Sequence, residues 1–435
     1  MKLKSITLNN FKGMDNIELS LDQKTTVIFG INGVGKSTIL KAIDLLYANI
    51  IAKLTKKKTT EFDKDDISYG KSKATIEAKF VFEDGEEKEY SRSFDRANGR
   101  NNNPNQLKEL VEKFENNYIV KGYDDGEGNW IEETDDKNMP IFANYGVNRI
   151  VLDVPVRAPK EQFEKLDAFD KAIESTIDFR NLFKWFRNQE DIENQAKVRN
   201  NNMGYEDRSL KVVKKAMLAM LDGFEDIHIE RKPLSMKVTK NGRNFKINQL
   251  SDGEKCTISL FGDLARRMAL ANPGGENPLE GTGVVLIDEL ELHMHTSWQR
   301  KVLGVLKETF PNIQFIITTH SPQILGELDD KYNLVYLKKE DQKIIPKMYR
   351  SFLGWDSNLI LEDVMNTSSV NKEIRELKSK MYAYIDDKQY EEAEKLADEI
   401  YERTNGHAEG ITKAKILIAR GKRCEKNKQK CIMVS

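Results

Sequence analysis

The sequence predicts an α/β fold in which short buried strands and helices surround a glycine-rich turn, with antiparallel strands beside them, a helical insertion and a C-terminal helical hairpin. Three observations carry that reading. The apolar run Thr25 to Phe29 ends in a glycine-rich turn and gives way to helical spacing from Ile39 to Ala48. Two further apolar runs, Val284 to Ile287 and Ile313 to Thr318, have the length and composition of strands buried on both faces. Pro159 to Arg199 places Phe163, Leu166, Phe169, Ile173, Ile177, Leu182, Phe183 and Phe186 at roughly helical intervals. The Lys-, Glu- and Ala-rich stretch from Asn371 onward does the same with Leu, Ile and Tyr.

In chain order, Leu3 to Leu8 and Ile17 to Leu21 alternate apolar and polar residues as strands do. Ala74 to Phe82 and Glu89 to Phe94 pair across Asp84-Gly85 as a hairpin, so the first lobe mixes strands of both directions. Asn98 to Pro104 and the acidic Tyr123 to Lys137 read as surface loops. Strands resume after Pro233, a helix begins after Ser251, and the pair Asn333 to Leu337 and Ile344 to Met348 closes the α/β part. Asn405-Gly406 interrupts the last helical stretch, which is therefore expected to fold back as a hairpin. The divisions expected are 1–155 for the lobe with the glycine-rich turn, 156–235 for the helical insertion, 236–355 for the second lobe and 356–435 for a helical region that binds a partner.

Length alone, 435 residues, would suggest two to three domains. Lys and Arg number 69 against 70 Asp and Glu, so a net charge of -1 gives no global attraction to nucleic acid or anionic membrane, and any such surface must be local. No stretch approaches the roughly 18 apolar residues of a membrane span, and the N-terminus lacks an apolar signal region; a cytoplasmic protein is expected. The three cysteines, Cys256, Cys424 and Cys431, are too scattered for a disulfide framework or a CxxC metal site and read as free thiols. Cys431 also lies one residue too early for a prenylation box.

Gly30-Ile31-Asn32-Gly33-Val34-Gly35-Lys36-Ser37 satisfies the GxxxxGK[ST] phosphate loop, and it stands where the mechanism needs it, after an apolar strand and before a helix. Glycines let successive backbone N–H groups converge on phosphate oxygens, and the helix N-terminus adds positive potential. Gly30, Asn32, Gly33, Val34, Gly35, Lys36, Ser37 and Thr38 are therefore the candidate ATP-binding residues, with Lys36 at the β and γ phosphates and Ser37 on Mg2+. Kinases, GTPases and ATPases share this loop, so it leaves the reaction open.

Val284-Val285-Leu286-Ile287-Asp288-Glu289 ends a buried strand in two carboxylates, the Walker B pattern. Asp288 would serve Mg2+, and Glu289, one residue on, could polarise an attacking water as general base. In Gln249-Leu250-Ser251-Asp252-Gly253-Glu254-Lys255, Ser251 and Glu254 form a capping box that marks a helix start with exposed N–H groups. Phe315-Ile316-Ile317-Thr318-Thr319-His320-Ser321-Pro322 is an apolar strand ending in a histidine whose neutral imidazole could donate to a phosphate oxygen. His293 and His295 form an isolated HxH without the further ligands that zinc requires.

The order phosphate loop, Ser251 segment, Walker B and His320 resembles the ABC-type ATPase head, and with Asn10-Phe11-Lys12-Gly13 it is similar to the heads of the RecF, SMC and OLD groups. The resemblance implies a RecA-like core with an antiparallel β-subdomain, and a head-to-head dimer or higher homo-oligomer sandwiching ATP. It implies that Ser251, Gly253 and Glu254 form the ABC signature, which meets the γ-phosphate held by a second subunit. It further implies that His320 is a switch histidine, catalytic with Glu289 and Lys36, that Lys12 lies near the nucleotide, and that His295 stands in the D-loop where many such proteins carry Asp. Tyr145 to Arg149 falls in the place of the Q-loop but holds no Gln, which leaves Asn148 and Arg149 for that position.

About 210 residues separate Ser37 from Ser251, too few for SMC arms, and about 115 lie beyond His320 without a clear acidic metal cluster, which argues against an OLD nuclease domain. Phe179-Arg180-Asn181-Leu182-Phe183-Lys184-Trp185-Phe186-Arg187 and Ser357-Asn358-Leu359-Ile360-Leu361-Glu362-Asp363-Val364-Met365 are similar to the ATPase subunits (PtuA) of Septu and retron antiphage systems. That resemblance implies a separately encoded nuclease of HNH type as partner, with DNA or a retron RNA/DNA as a further one. The basic clusters Lys53 to Lys58 and Arg420 to Lys430 could touch nucleic-acid phosphates, though such runs are commonly solvated faces. A RecF-like repair ATPase that binds DNA and an OLD-like nuclease with its own cleavage activity stay open as alternatives.

Overall fold

A computed structural model describes the chain except residues 59, 120–122, 125–129, 132–136, 150–161, 342, 368–370, 409 and 434–435. The chain divides into two compact units, Met1–Trp355 and Asp356–Ser435. The segments 1–155, 156–235 and 236–355 are thus parts of one unit.

Two sheets organise the first unit. The central sheet has six strands in the order Lys343–Tyr349, Asn333–Glu340, Thr26–Phe29, Ile313–Thr319, Gly283–Ile287 and Ile141–Tyr145. All neighbours run parallel except the edge pair Asn333–Glu340 and Lys343–Tyr349. Thr26–Phe29, Gly283–Ile287 and Ile313–Thr319 are buried at every position, which is why they are continuous apolar runs and not alternating ones. The second sheet is antiparallel, in the order Met14–Ser20, Lys2–Phe11, Lys73–Val81, Glu87–Asp95 and Gly99–Asn101. Gln314 ties the two together: its side chain accepts from the Leu3 N–H at 2.7 Å and donates to the Leu3 carbonyl at 2.8 Å.

The helix Lys36–Thr55 lies between these layers and buries Ile39, Leu40, Ile43, Leu46, Ile50 and Ile51, each worth roughly 1.5–3 kcal/mol in apolar area removed from water. Its Tyr47 ring stacks on Phe142 with centroids 4.0 Å apart. A second buried helix, Asp252–Ala271, carries charges through the core. The Asp263 carboxylate accepts from Arg266 and Arg267 at 2.8 Å each and from the Tyr145 hydroxyl at 2.9 Å. Burial alone would raise the Asp263 carboxyl, but Arg267 and Arg266 outweigh it and hold it below the usual range.

Three expectations are corrected. The helical reading from Pro159 to Arg199 holds only for Phe179–Arg199; residues 159–161 lie outside the described residues, and the chain leading to Phe179 forms a 3-10 turn at Lys165–Phe169 and further turns. Lys171 and Ser175 adopt positive φ of 51° and 55°, which no helix accommodates, and Asp178 then caps the helix by accepting from the Asn181 N–H. The loop expected over Asn98 to Pro104 contains the short strand Gly99–Asn101, and it opens onto an unanticipated helix, Pro104–Tyr118, capped by Asn103. Most of the acidic segment Tyr123 to Lys137 lies outside the described residues.

The second unit holds three long helices, Lys372–Asp386, Tyr390–Arg403 and Ile411–Met433, where a two-helix hairpin was expected. The additional break falls at Lys388, whose φ is 61°. Met381, Ala393, Ala397, Ile400, Ile411, Ala414 and Ile418 form its core. The side chains of Cys424 and Cys431 and most of the basic run to Lys430 lie outside the described residues, whereas Cys256 is buried and free.

Candidate nucleotide site

Thr26–Phe29 sits between two parallel neighbours, so the loop at its end starts from a fixed point at the carboxyl end of the sheet. Gly30 cannot carry a side chain, since a Cβ there would lie 2.7 Å from the Leu337 carbonyl oxygen. Gly33 and Gly35 take φ of 76° and 98°, and Gly35 passes directly into the helix that begins at Lys36. Val34 is buried and anchors the loop, while Asn32 and Ser37 are exposed and Thr38 half-buried. Lys36 Nζ donates to the Gly30 and Ile31 carbonyls at 3.0 and 3.1 Å and lies 3.5 Å from His320 Nδ1. Burial lowers the Lys36 pKa, against the pull of Glu289, Asp288 and Glu291.

Asp288 and Glu289 come directly after the strand Gly283–Ile287, whose neighbours on either side deliver the rest of the cluster. Asp288 Oδ1 accepts from the Ser37 hydroxyl at 3.1 Å and from the Thr318 hydroxyl. Glu289 has a φ of 49°, in the left-handed region, and its N–H donates to Thr318 Oγ1 at 2.8 Å. Glu291 accepts from the Thr319 hydroxyl at 2.7 Å and from the His320 N–H, which fixes the end of the strand Ile313–Thr319. Burial, then Lys36, lowers the His320 pKa, so its imidazole is neutral at neutral pH.

Beside Ser37 and Asp288 opens a cavity of about 300 Å³, also lined by Lys41, Asn144, Asn148 and Ser175. A hydroxyl and a carboxylate 3.1 Å apart at the edge of this cavity form a hard-oxygen donor set suited to Mg2+, which keeps several of its waters. Asn148 therefore faces this space, whereas Arg149 turns behind it and donates to the Asp288 and Glu289 carbonyls.

Ser251 caps the helix Asp252–Ala271 in the expected capping box: its N–H and hydroxyl both bond Glu254 Oε2, at 2.9 and 2.8 Å. Glu254 also pairs with Lys240. A Cβ on Gly253 would lie 2.5 Å from the His293 carbonyl oxygen, so glycine lets the helix start approach the turn after Walker B. Among the described residues, Ser251 shares no hydrogen bond with the Lys36–Asp288–His320 cluster.

A family model described as "AAA domain, putative AbiEii toxin, Type IV TA system" matches residues 25–326. The chain belongs to this AAA-domain family. The matched span runs from the phosphate-loop strand to beyond His320. "Retron Ec83 probable ATPase" of Escherichia coli is 28% identical over 85% of this chain and 77% of its own length. "Retron Vc95 probable ATPase" of Vibrio cholerae serotype O1 biovar El Tor is 29% identical, covering 77% and 75%. "Septu protein PtuA" of Bacillus thuringiensis is 24% identical, covering 83% and 84%.

Within this AAA-domain ATPase the structure pairs Lys36 with His320 and Ser37 with Asp288, and Ser251, Gly253 and Glu254 share no hydrogen bond with either pair. Lys12, in the turn between the first two strands, pairs with Asp66 at 3.1 Å. The adjoining Gly13 N–H donates to Ser68 Oγ at 2.9 Å, and the Met14 methyl packs where a Gly35 side chain would stand. His295 caps the helix Thr296–Thr309, its side chain accepting from the Ser297 N–H. In the basic cluster from Lys53 to Lys58, Lys57 pairs with Asp170. Sequence reasoning missed Thr318, Glu291 and the placement of Arg149. Thr318 and Thr319 stood in the quoted switch segment, and two hydroxyls ending a fully buried strand were the available signal. Among the described residues, no helix is long and apolar enough to cross a membrane.

Proposed function

We propose that two copies of this ATPase close head to head on two ATP molecules, hydrolyse them through Glu289, and use the cycle to control a separately encoded nuclease in antiphage defence. The observation that carries this reading is the division of polar groups. Lys36 with His320 and Ser37 with Asp288 surround the phosphate loop, while the Ser251 helix start bonds none of them and leaves the Asp252 and Gly253 N–H groups outside its capping box, an arrangement that suits a phosphate offered by another chain.

Lys36 and the loop N–H groups hold the β and γ phosphates, and Gly30, Asn32, Gly33, Val34, Gly35 and Thr38 shape that cradle. Where Mg2+ is bound, Ser37 and Asp288 are the groups that would hold it, and its charge would offset that of the phosphates. Water attacks the γ-phosphorus as the bond to the β,γ-bridging oxygen breaks; its proton passes to Glu289, and ADP and inorganic phosphate leave. Neutral His320 donates to a γ-phosphate oxygen and reports its loss to the strand end that Glu291 clamps. Ser251, Gly253 and Glu254 complete the partner's site, and Lys12 borders the nucleotide. The retron and Septu relatives support the defence role; the partner proposed for it is an HNH-type nuclease, with DNA or a retron RNA/DNA as a further one.

Three variants test the mechanism. Lys36→Ala should lose ATP binding. Glu289→Gln should bind ATP, turn over little and accumulate as a closed dimer in light scattering. Ser251→Arg should bind ATP but not hydrolyse it. Turnover per site that is independent of protein concentration and untouched by Ser251→Arg would refute the shared site. Metal-dependent DNA cleavage by the pure chain would replace the nuclease partner with an activity of its own.

A further inference from the structure

Arg149 is 1% exposed, yet no carboxylate among the described residues forms an ion pair with it, though Glu291, Asp288 and Glu289 lie near enough to favour its charge; Nη2 donates instead to two successive main-chain carbonyls, those of Asp288, at 2.7 Å, and of Glu289. An arginine so buried is unfavourable unless its donors are used for something that a neutral group cannot do. Its Nε and Nη1 find no hydrogen-bond partner among the described residues. What those two carbonyls belong to is the turn that aims the Glu289 carboxylate.

That turn is not one the chain adopts by default. Glu289 is neither Gly nor Asn, and a φ of 49° persists in such a residue only where its surroundings over-determine it. Its amide side is fixed from the strands: Asp288 N–H bonds the Tyr145 carbonyl at 2.8 Å, Glu289 N–H bonds Thr318 Oγ1 at 2.8 Å, and Leu290 N–H bonds the Thr318 carbonyl at 3.1 Å. Its carbonyl side is held by Arg149. With Nη2 on the Asp288 and Glu289 oxygens, the two carbonyls are kept on one side of the chain, whereas rotation of Glu289 toward the ordinary helical region would swing its carbonyl away.

We infer that Arg149 is a positioning residue for hydrolysis: it locks the left-handed turn at Glu289, and so the aim of that carboxylate, from the loop whose preceding residue, Asn148, lines the cavity beside Ser37 and Asp288. The inference rests on the proposed role of Glu289. It places Arg149 behind the carboxylate, in contact with neither nucleotide nor metal. The loop after Ile141–Tyr145 thereby carries two functions on adjacent residues, one facing the cavity and one facing the catalytic turn.

The test compares full-length wild type, Arg149→Ala, Arg149→Lys, Glu289→Gln and the double variant, by single-turnover hydrolysis and by titration with a fluorescent ATP analogue. Arg149→Ala should lower the hydrolysis rate roughly 100-fold, the scale of a 1 Å misplacement of a catalytic group. ATP affinity should stay within about threefold of wild type, because binding does not use the turn. Arg149→Lys should fall between, and added guanidinium should partly restore Arg149→Ala, as no merely structural filler would. In the Glu289→Gln background, Arg149→Ala should cost nothing more, because the group it aims is already gone. A multiplicative loss in the double variant, a parallel fall in ATP affinity, or wild-type hydrolysis by Arg149→Ala would each overturn the inference. If Arg149→Ala fails to fold, the rate and affinity of Arg149→Lys decide in the same way. Normal turnover by Glu289→Gln would instead refute the proposed mechanism, so the two failures are told apart.

Discussion

Replacing Asp44 by Asn should make the protein more stable, by an amount that grows with pH. Asp44 lies in the phosphate-loop helix with no solvent exposure; its Oδ1 accepts from Asn144 Nδ2 at 3.0 Å and its Oδ2 from Lys41 Nζ at 3.4 Å. Burial raises its pKa from 3.8 to about 6, against the opposing pull of Lys41 and Asn144. The charged form is thus the one that the fold penalises. As pH rises through 3.8 the unfolded chain ionises first and is favoured; the penalty grows up to about pH 6 and is constant above it. A lift from 3.8 to about 6 corresponds to roughly 3 kcal/mol at about pH 8 and roughly 1 kcal/mol at about pH 4.5.

Asn keeps an acceptor for Asn144, cannot ionise, and leaves Lys41, whose side chain is 34% exposed, free to reach water. Urea unfolding monitored by tryptophan fluorescence, to which buried Trp185 contributes, should therefore show Asp44→Asn above wild type by about 3 kcal/mol at the higher pH, the gap narrowing by about 2 kcal/mol at the lower one. A gap that stays constant across pH, or widens on acidification, would refute the reasoning, whatever its size.

Thr318→Val should cost about 1–3 kcal/mol and slow hydrolysis, because it leaves the half-buried Glu289 N–H unpaired and removes a donor from Asp288; Thr318→Ser should cost less, about 1 kcal/mol or under. Equal stability of the two in urea would count against that bond pair. Because burial and Lys36 depress the His320 pKa, the acid limb of the rate profile should lie below the ordinary imidazole range and should vanish in His320→Gln. For stability the sign is the same, since the unfolded chain takes up the His320 proton first and stability falls on acidification. Gly253→Ala must displace the His293 carbonyl and should cost about 1–3 kcal/mol while lowering hydrolysis at unchanged ATP affinity; a drop in affinity would show that the strain reaches the phosphate loop.

The parts of the site that were legible in the sequence are those written in consecutive residues. Gly30 to Ser37 needs its glycines for φ and close approach, and Ser251 with Glu254 caps the helix that it marks. Contacts between strands were not legible. Thr318 meets Glu289 from 29 residues away and Arg149 meets it from 140, because parallel strands bring their carboxyl ends together without any sequence trace. The errors over the fold are instead local. Phe163 to Ile173 has helical spacing, but left-handed residues break it. Pro104–Tyr118 was overlooked although Asn103-Pro104 is a helix start and Leu107, Leu110, Phe114 and Tyr118 form its buried face.

The polar contacts at the site, joined by the peptide links Thr318–Thr319 and Lys36–Ser37, form a closed circuit. Ser37 bonds Asp288, Asp288 bonds Thr318, Thr318 takes the Glu289 N–H, Glu291 takes the Thr319 hydroxyl and the His320 N–H, and His320 returns to Lys36, one residue from the start. A shift in any member must move its neighbours, because each hydrogen bond has only a few tenths of an ångström of freedom. Substitutions in the circuit should therefore not add: Thr318→Val combined with Glu289→Gln should slow hydrolysis less than the product of their separate effects. Gly253 packs against the His293 carbonyl, outside this circuit, so Gly253→Ala combined with Thr318→Val should come closer to multiplying. Equal coupling in both pairs would mean that the two halves of the site move as one body.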